Sequence, residues 1–179
     1  MHRYVAFLRG INLGKRRVKM DDLRALFVAQ KFADVSTFIA SGNVLFSSRS
    51  ADARKLEAQI ETALQAGLGY AVDTFVRTRD EVAAIAAYRA FADADMDHPD
   101  HTAYVGFLRE ALPAAQAKGL VACATAVDAL HVQGREYYWL CRIKSNESTV
   151  WTSPPMRALK LPTSSVRNLT TIRKLAALP

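Results

Sequence analysis

Cysteine is scarce in this sequence: only Cys123 and Cys141 occur among its 179 residues. Small disulfide scaffolds need several paired cysteines, and disulfides persist mainly in oxidising compartments. The scarcity excludes a disulfide framework and favours a reducing compartment. We therefore expect a cytoplasmic protein.

Long apolar runs are absent as well. The first apolar segment, Tyr4 to Leu8, is too short for the core of a signal peptide, and Arg9 follows it directly. No segment approaches the ~18 consecutive apolar residues of a membrane span. We therefore expect no membrane partner.

Signatures of catalysis and of metal binding are missing too. The sequence has no Gly-x-Ser-x-Gly elbow, and its cysteines and histidines do not pair at zinc spacing. The aspartates between Asp93 and Asp100 resemble a calcium loop, but His98 stands where that loop needs glycine. We predict no catalytic residue, no metal and no cofactor, and the question of enzymatic activity stays open.

Acidic residues are few at both ends of the chain, whose net charge is +7. Residues 1–50 carry nine basic and three acidic residues, and residues 134–179 carry eight and two. The middle, residues 51–133, carries seven basic and twelve acidic residues. A basic excess favours an anionic partner such as nucleic acid or phosphate, although a solvated surface explains it equally.

Turn residues divide the first half of the sequence into a β-α-β-β-α-β order. The predicted strands cover residues 3–9, 35–40, 44–47 and 72–77. One helix begins near Asp21; a second begins at Ser50 or Asp52 and is expected to stop at Gly67. Glu57 and Glu61 are expected on an exposed face of that second helix. This order is the ferredoxin-like plait, an antiparallel sheet with its helices on one face.

The same pattern returns one hundred residues later. Tyr104 to Arg109 (YVGFLR) matches Tyr4 to Arg9 (YVAFLR), and Val166-Arg167 matches Val76-Arg77. Two matches in the same order predict an α+β fold built by tandem duplication of ferredoxin-like βαββαβ plaits. We predict a first unit with a connecting helix over 1–92, an acidic linker over 93–101, and a second unit with a C-terminal helix over 102–179.

Three groups of residues resemble a known family. They are Leu8 to Gly14 (LRGINLG) with Met20 and Leu23, then Thr37 to Phe46 (TFIASGNVLF), and finally Arg167-Asn168 with Thr171 and Lys174-Leu175. These motifs are similar to those of the bacterial domain of unknown function 1697 family, and the resemblance runs nearly end to end. It implies two ferredoxin-like plaits and no established activity.

The sequence departs from that family in three places. Lys15 stands where the family usually has a second glycine, and Leu169-Thr170 replaces a Trp-Asn pair. The region from Lys144 to Trp151 replaces a basic Arg-Ser-Lys-Leu stretch. If those positions bind a ligand in the family, the resemblance implies that this chain binds it differently or not at all.

The basic loop between the first strand and the first helix is the main candidate site. It resembles a phosphate loop, but it is one residue short and Arg16 replaces the Ser or Thr that would hold Mg²⁺, so we reject a nucleoside triphosphatase. A glycine-bearing loop before a helix still suits an anion, although a solvated loop explains it as well. The predicted anion site consists of Arg9, Gly10, Asn12, Gly14, Lys15, Arg16, Arg17, Lys19 and Arg49. Secondary candidates are Ser41, Asn43, Arg167, Asn168 and Lys174.

Arg49 belongs to the predicted site because we expect the first and third strands of the plait to run parallel. The third strand would then end beside Gly10. The same expectation places the turn Ser41-Gly42-Asn43 at the opposite end of the sheet.

Three functions agree with these observations. The first, slightly favoured, is binding of an anionic ligand, either nucleic acid or a phosphate-bearing molecule, at the basic loop. The second is an enzyme or sensor for a small anionic metabolite. The third is a scaffold for protein interactions, and the fold by itself does not choose among them.

Overall fold

The computed structural model describes every residue, Met1–Pro179. It divides into two compact units, Met1–Ile85 with Leu178–Pro179, and Ala86–Ala177. None of its helices has the length and the apolar character that a membrane crossing requires.

The first unit is a four-stranded sheet on which two of its three helices, the first two in the chain, pack against one face. Its strands are β1 (His2–Leu8), β2 (Ala33–Phe38), β3 (Asn43–Ser48) and β4 (Thr74–Thr78), and its helices are α1 (Met20–Ala29), α2 (Ala53–Leu68) and α3 (Arg79–Ala87). The strand order is β2-β3-β1-β4. Leu23 of α1 and Ile60 of α2 pack with Tyr4 of β1 and Phe46 of β3 in one buried core. These elements form the predicted plait.

The second unit repeats the sheet. It contains α4 (Asp93–Met96), β5 (Thr102–Phe107), α5 (Ala114–Ala122), β6 (Asp128–Gln133), β7 (Glu136–Cys141), a single 3-10 turn (Val150–Thr152), α6 (Pro154–Ala158), β8 (Ser165–Asn168) and α7 (Leu169–Ala176). The strand order β6-β7-β5-β8 is that of the first unit. The long helix α2, however, has only the 3-10 turn and α6 as its counterpart between β7 and β8.

The repeat extends to the residue pairing. Val5 faces Arg77 across β1 and β4, and Val105 faces Arg167 across β5 and β8. The matched sequence segments therefore occupy equivalent positions in equivalent strands, and the predicted duplication of the plait is confirmed.

The long helix α2 begins at its predicted N-cap residue but ends later than predicted. The Asp52 carboxylate accepts a hydrogen bond from the Lys55 backbone N–H at the start of α2. Gly67 was expected to end this helix, and that expectation is wrong because the chain stays helical to Leu68, with Gly69 as its cap.

The expectation that Glu57 and Glu61 lie on an exposed face of α2 is also wrong, because Glu57 is fully buried. Its Oε1 accepts a hydrogen bond of 2.9 Å from the Val76 N–H on β4, and the Glu61 Oε1 accepts one of 2.8 Å from the Thr74 N–H. The Glu81 Oε2 accepts one of 2.8 Å from the Thr78 N–H. Since β4 is an edge strand, three carboxylates pair the alternate N–H groups that a further strand would otherwise bind.

The segment predicted as an acidic linker is ordered by ion pairs within the second unit. Asp93–Met96 forms α4, and Asp95 accepts two hydrogen bonds, of 3.0 and 2.9 Å, from the Arg142 guanidinium. These hydrogen bonds are the main reason that the pKa of Asp95 lies below its usual value. Arg89 binds the Asp97 carboxylate in the same bidentate way, at 3.1 and 2.8 Å.

At one matching position the two sheets carry cross-strand pairs of different size. Ala6 faces Val44 in the first unit, whereas Gly106 faces Tyr137 at the matching place in the second. A Cβ added to Gly106 would lie 2.0 Å from Cζ of Tyr137. The Tyr137 ring therefore lies where the side chain of any other residue at position 106 would begin.

We predict that Gly106→Ala lowers the free energy of unfolding by about 1–3 kcal/mol, because the methyl group overlaps the Tyr137 ring. In a Tyr137→Val background, which reproduces the pair of the first unit, the same change should cost nothing. Urea unfolding of the four proteins of this cycle measures both values. Equal costs in the two backgrounds would show that the ring is not responsible.

We also predict that Glu57→Ala lowers the free energy of unfolding by about 2 kcal/mol, because the buried Val76 N–H loses a charged acceptor. Glu57→Gln keeps an acceptor oxygen and should lose less. The exposed Glu147→Ala serves as the control. Amide exchange at Val76 should accelerate in the alanine variant alone; an unchanged Val76 rate would contradict the role assigned to Glu57.

Candidate functional site

The pairing of β1 decides which loops meet at the end of the first sheet. β1 pairs antiparallel with β3, so Phe7 lies opposite Asn43 and His2 lies opposite Ser48. The predicted parallel arrangement of these strands is wrong. Arg49 follows Ser48 at the opposite end from the basic loop, and the Ser41-Gly42-Asn43 turn lies at the same end as that loop.

Three segments come together at this end. They are the basic loop (residues 9–19), the hairpin (residues 39–42) and the segment that precedes β4 (residues 70–73). The Leu8 N–H donates to the Gly42 carbonyl at 2.8 Å, and the Arg9 N–H donates to the Asp73 carbonyl at 2.9 Å. A Cβ on Gly42 would lie 2.8 Å from the Ile11 side chain, and its φ of +79° also favours glycine. The hairpin therefore packs tightly on the start of the basic loop.

Asn12 holds the basic loop in place. Its Nδ2 donates to the Ala40 carbonyl at 3.0 Å, and its Oδ1 accepts from the Val18 N–H at 2.8 Å. One side chain thereby ties the two ends of the loop to each other and to the hairpin. Asn12 was predicted to bind a ligand. In the structure both the oxygen and the nitrogen of its side-chain amide form hydrogen bonds with the main chain.

The hairpin carries a strained residue at its tip. Ile39 is β-branched and has φ of +51°, a conformation that costs about 1–3 kcal/mol. The carbonyl groups on both sides of it are held, that of Ala40 by Asn12 and that of Phe38 by Asn43 Nδ2 at 3.1 Å. The side chain of Ile39 is 52% exposed. The hairpin thus presents an apolar side chain to solvent beside the basic loop.

The basic side chains of the loop differ in their contacts. Arg16 places its guanidinium carbon 4.1 Å from the centre of the Tyr70 ring. Arg17 donates to the carbonyl groups of Gly14 and Arg16, at 3.0 and 2.9 Å. Lys15 and Lys19 are exposed.

A cavity of about 270 Å³ opens beside these groups. It is lined by Arg9, Gly10, Leu13, Arg16, Ala71 and Asp73. Arg9 lies 3.9 Å from the Asp73 carboxylate, and Leu13 is 69% exposed. The cavity therefore combines guanidinium groups, one carboxylate and an apolar wall.

The first turn of α1 reduces the positive charge at this end. Asp21 and Asp22 are exposed there, and Asp21 pairs with Arg24 at 3.1 Å. Lys19 precedes the helix and gives it no side-chain cap. These two carboxylates offset the partial positive charge of the amide groups at the start of α1. The basic surface at this end is therefore the loop itself.

Of the remaining candidates, Ser41 lies in the hairpin beside the basic loop, and the other three lie in the second unit. Ser41 accepts a hydrogen bond of 2.7 Å from Asn43 within the hairpin. In the second unit Asn168 caps α7 by accepting from the Thr170 N–H, and Lys174 is exposed on the last turn of that helix. Arg167 is partly buried on β8, and burial lowers its pKa to about 10.

Sequence reasoning missed Tyr70, Asp73 and Leu13, which form much of the candidate site. Tyr70 and Asp73 precede β4, and only the pairing of β4 with β1 brings them beside the basic loop. The correct antiparallel register would have identified them.

This geometry defines a class: a duplicated α+β protein whose first unit carries a basic loop fixed by a hairpin. The family described as protein of unknown function (DUF1697) matches residues 1–138, and the chain belongs to that family. No curated protein sequence matches the chain.

A solved structure has the same fold. It is the conserved bacterial protein SP0830 from Streptococcus pneumoniae, which is 21% identical to this chain. The alignment covers 98% of this chain and 97% of that one, with a TM-score of 0.73. The likeness agrees with the two four-stranded sheets described above and concerns the fold alone.

We predict that Asn12→Ala loosens the basic loop, because the Val18 N–H and the Ala40 carbonyl both lose their partner. The Val18 amide should exchange faster by about fivefold, which corresponds to one lost hydrogen bond of about 1 kcal/mol. Hydrogen exchange followed by NMR measures this rate. Ser41→Ala, at the same end of the sheet, is the control and should leave Val18 unchanged. An unchanged Val18 rate in Asn12→Ala would mean that Asn12 does not hold the loop.

Proposed function

We propose that the chain binds an anionic, phosphate-bearing ligand at the basic loop of its first unit, with nucleic acid as the preferred source of the phosphates. The observation that carries this proposal is a loop with five basic residues in eleven positions that is held in one shape by Asn12 and by the Gly42 hairpin. A fixed loop presents its charges without a large ordering cost on binding.

The distribution of charge favours several phosphates over one. Lys15 and Lys19 are both exposed and stand four positions apart in the loop. The cavity beside them includes the Asp73 carboxylate, which repels a phosphate placed inside it. A nucleic-acid backbone can contact the separated surface cations and gains affinity by releasing counterions.

The apolar groups at this end suit the bases of the same ligand. The exposed side chains of Leu13 and Ile39, together with the Arg16 guanidinium on Tyr70, offer flat or apolar contacts beside the cations. Unpaired bases stack on such groups with little sequence preference. We therefore propose single strands over duplexes.

We also propose the cytoplasm as the compartment. Cys123 and Cys141 are both free thiols, and burial raises the pKa of Cys141. Free thiols of this kind fit a reducing environment.

We predict that Lys15→Glu/Arg17→Glu weakens binding of a labelled twelve-nucleotide single strand by at least about tenfold at low salt. The slope of log K against log salt should also become shallower by about 1.4, because two phosphate contacts are lost and each contributes about 0.7 on a single strand. Fluorescence polarisation measures both quantities.

Lys118→Glu/Lys144→Glu is the matched control, since it changes the net charge equally through exposed residues of the second unit. It should alter binding far less than the loop variant. Inorganic phosphate and a mononucleotide in the same assay distinguish a small ligand from a polymer. Equal binding by the parent and the folded loop variant would refute the site, and a parent that binds none of these probes would leave only a solvated loop.

A further inference from the structure

The opposite end of the first sheet contains a second cavity, of about 300 Å³. Arg3 of β1 and Arg79, which follows β4, contribute guanidinium groups to its lining, and Asp34 of β2 contributes a carboxylate. Ser36 and Ser47 add hydroxyl groups. Tyr4, Leu45 and Phe46 also line the cavity. Leu45 shares the face of Arg3 and Ser47, whereas the Tyr4 and Phe46 rings point into the core on the other face of the sheet.

The two arginines already bind main-chain oxygen atoms in this place. Arg3 donates to the carbonyl group of Pro179, and Arg79 donates to that of Leu178. Both acceptors belong to the first unit and line the cavity. Main-chain oxygen atoms of two consecutive residues thus show which kind of acceptor these guanidinium groups take.

The cationic side of the cavity favours a negative group. Burial is the first cause that lowers the pKa of Arg79, and the nearby charge of Arg3 is the second. An arginine nevertheless stays protonated at neutral pH. Two like charges in one small space are stabilised by an anion between them, and a carboxylate matches the planar guanidinium fork.

A bulge in β2 orients the side chain of Asp34. The register of β2 against β3 shifts between Ala33 and Ser36, which inserts one extra residue in β2. Asp34 has φ of +51° there, and its Oδ2 accepts a hydrogen bond of 2.8 Å from the Ser47 hydroxyl. Bulges of this type redirect side chains and occur beside binding sites.

The strand order separates the two charges. β3 lies between β1 and β2, so Arg3 and Asp34 stand two strand spacings apart, about 10 Å between their main chains. Both residues line one cavity of about 300 Å³, a volume that suits a small molecule. Such a molecule needs a negative end, a positive end and an apolar body.

We propose that this cavity binds a small zwitterion of amino-acid or dipeptide type. Its carboxylate lies on Arg3 and Arg79, its ammonium group lies on Asp34, and its apolar side chain packs on Leu45. The ligand carboxylate takes the place of the carbonyl oxygens of Leu178 and Pro179 or shares the arginines with them.

The test uses the full chain labelled with ¹⁵N and three related probes. Glycyl-leucine carries both charges, N-acetyl-glycyl-leucine lacks the ammonium group, and glycyl-leucine amide lacks the carboxylate. We expect saturable amide shifts at Ser36, Ser47 and Leu178 with glycyl-leucine, with a Kd on the order of 1 mM. Each of the other two probes should bind at least about fivefold more weakly, because one charge pair is lost.

Two variants assign the charges. Asp34→Asn should make glycyl-leucine and its N-acetyl derivative bind equally, and Arg3→Gln should reduce the difference between glycyl-leucine and its amide. Asparagine tolerates the positive φ of position 34, so the fold is kept. The Lys15→Glu/Arg17→Glu variant should bind glycyl-leucine as the parent does, which separates this site from the proposed phosphate site.

Three results would overturn the proposal. They are no saturable shift with glycyl-leucine, equal affinity for all three probes in the parent, and shifts confined to amides of the basic loop. Failure of nucleic-acid binding at that loop would leave the zwitterion site unaffected, since no residue is shared between the two.

Discussion

The antiparallel pairing of β1 with both of its neighbours decides where everything else in the first unit lies. β1 is held between β3 and β4, and both of these start at the end where β1 finishes. The hairpin before β3 and the segment before β4 therefore border the loop that follows β1. The same constraint leaves Arg3 and Arg79 together at the far end. Two separate candidate sites follow from one pairing.

The helix α2 has a second task besides covering the sheet. Its buried Glu57 and partly buried Glu61 reach the outer N–H groups of β4, and Glu81 continues the row. An edge strand is normally open to a further strand. Here carboxylates occupy the edge, so extension of the sheet by another chain is left to β2 alone. In the second unit no comparable helix stands between β7 and β8.

Most of the fold could be predicted from the sequence, because strand and helix periodicity are local and the repeat of YVAFLR as YVGFLR is direct evidence of duplication. The site could be predicted only in part. The basic loop is contiguous and visible in the sequence, but Tyr70 and Asp73 join it through pairing over sixty residues away, and an incorrect strand direction misplaced Arg49. Burial misled as well: glutamates spaced along a helix suggest a solvated face, whereas Glu57 is buried because a backbone N–H needs it.

The first unit has Ala6 opposite Val44 where the second has Gly106 opposite Tyr137, and this difference restricts how the two halves diverged. A chain with alanine opposite tyrosine at this position contains an overlap of ring and methyl group, whereas a chain with glycine opposite valine contains only a small gap. The route between the two present pairs that avoids the overlap passes through the glycine and valine state. The order of substitutions in this strand pair was therefore constrained: starting from the small pair, the methyl group had to leave before the ring could arrive.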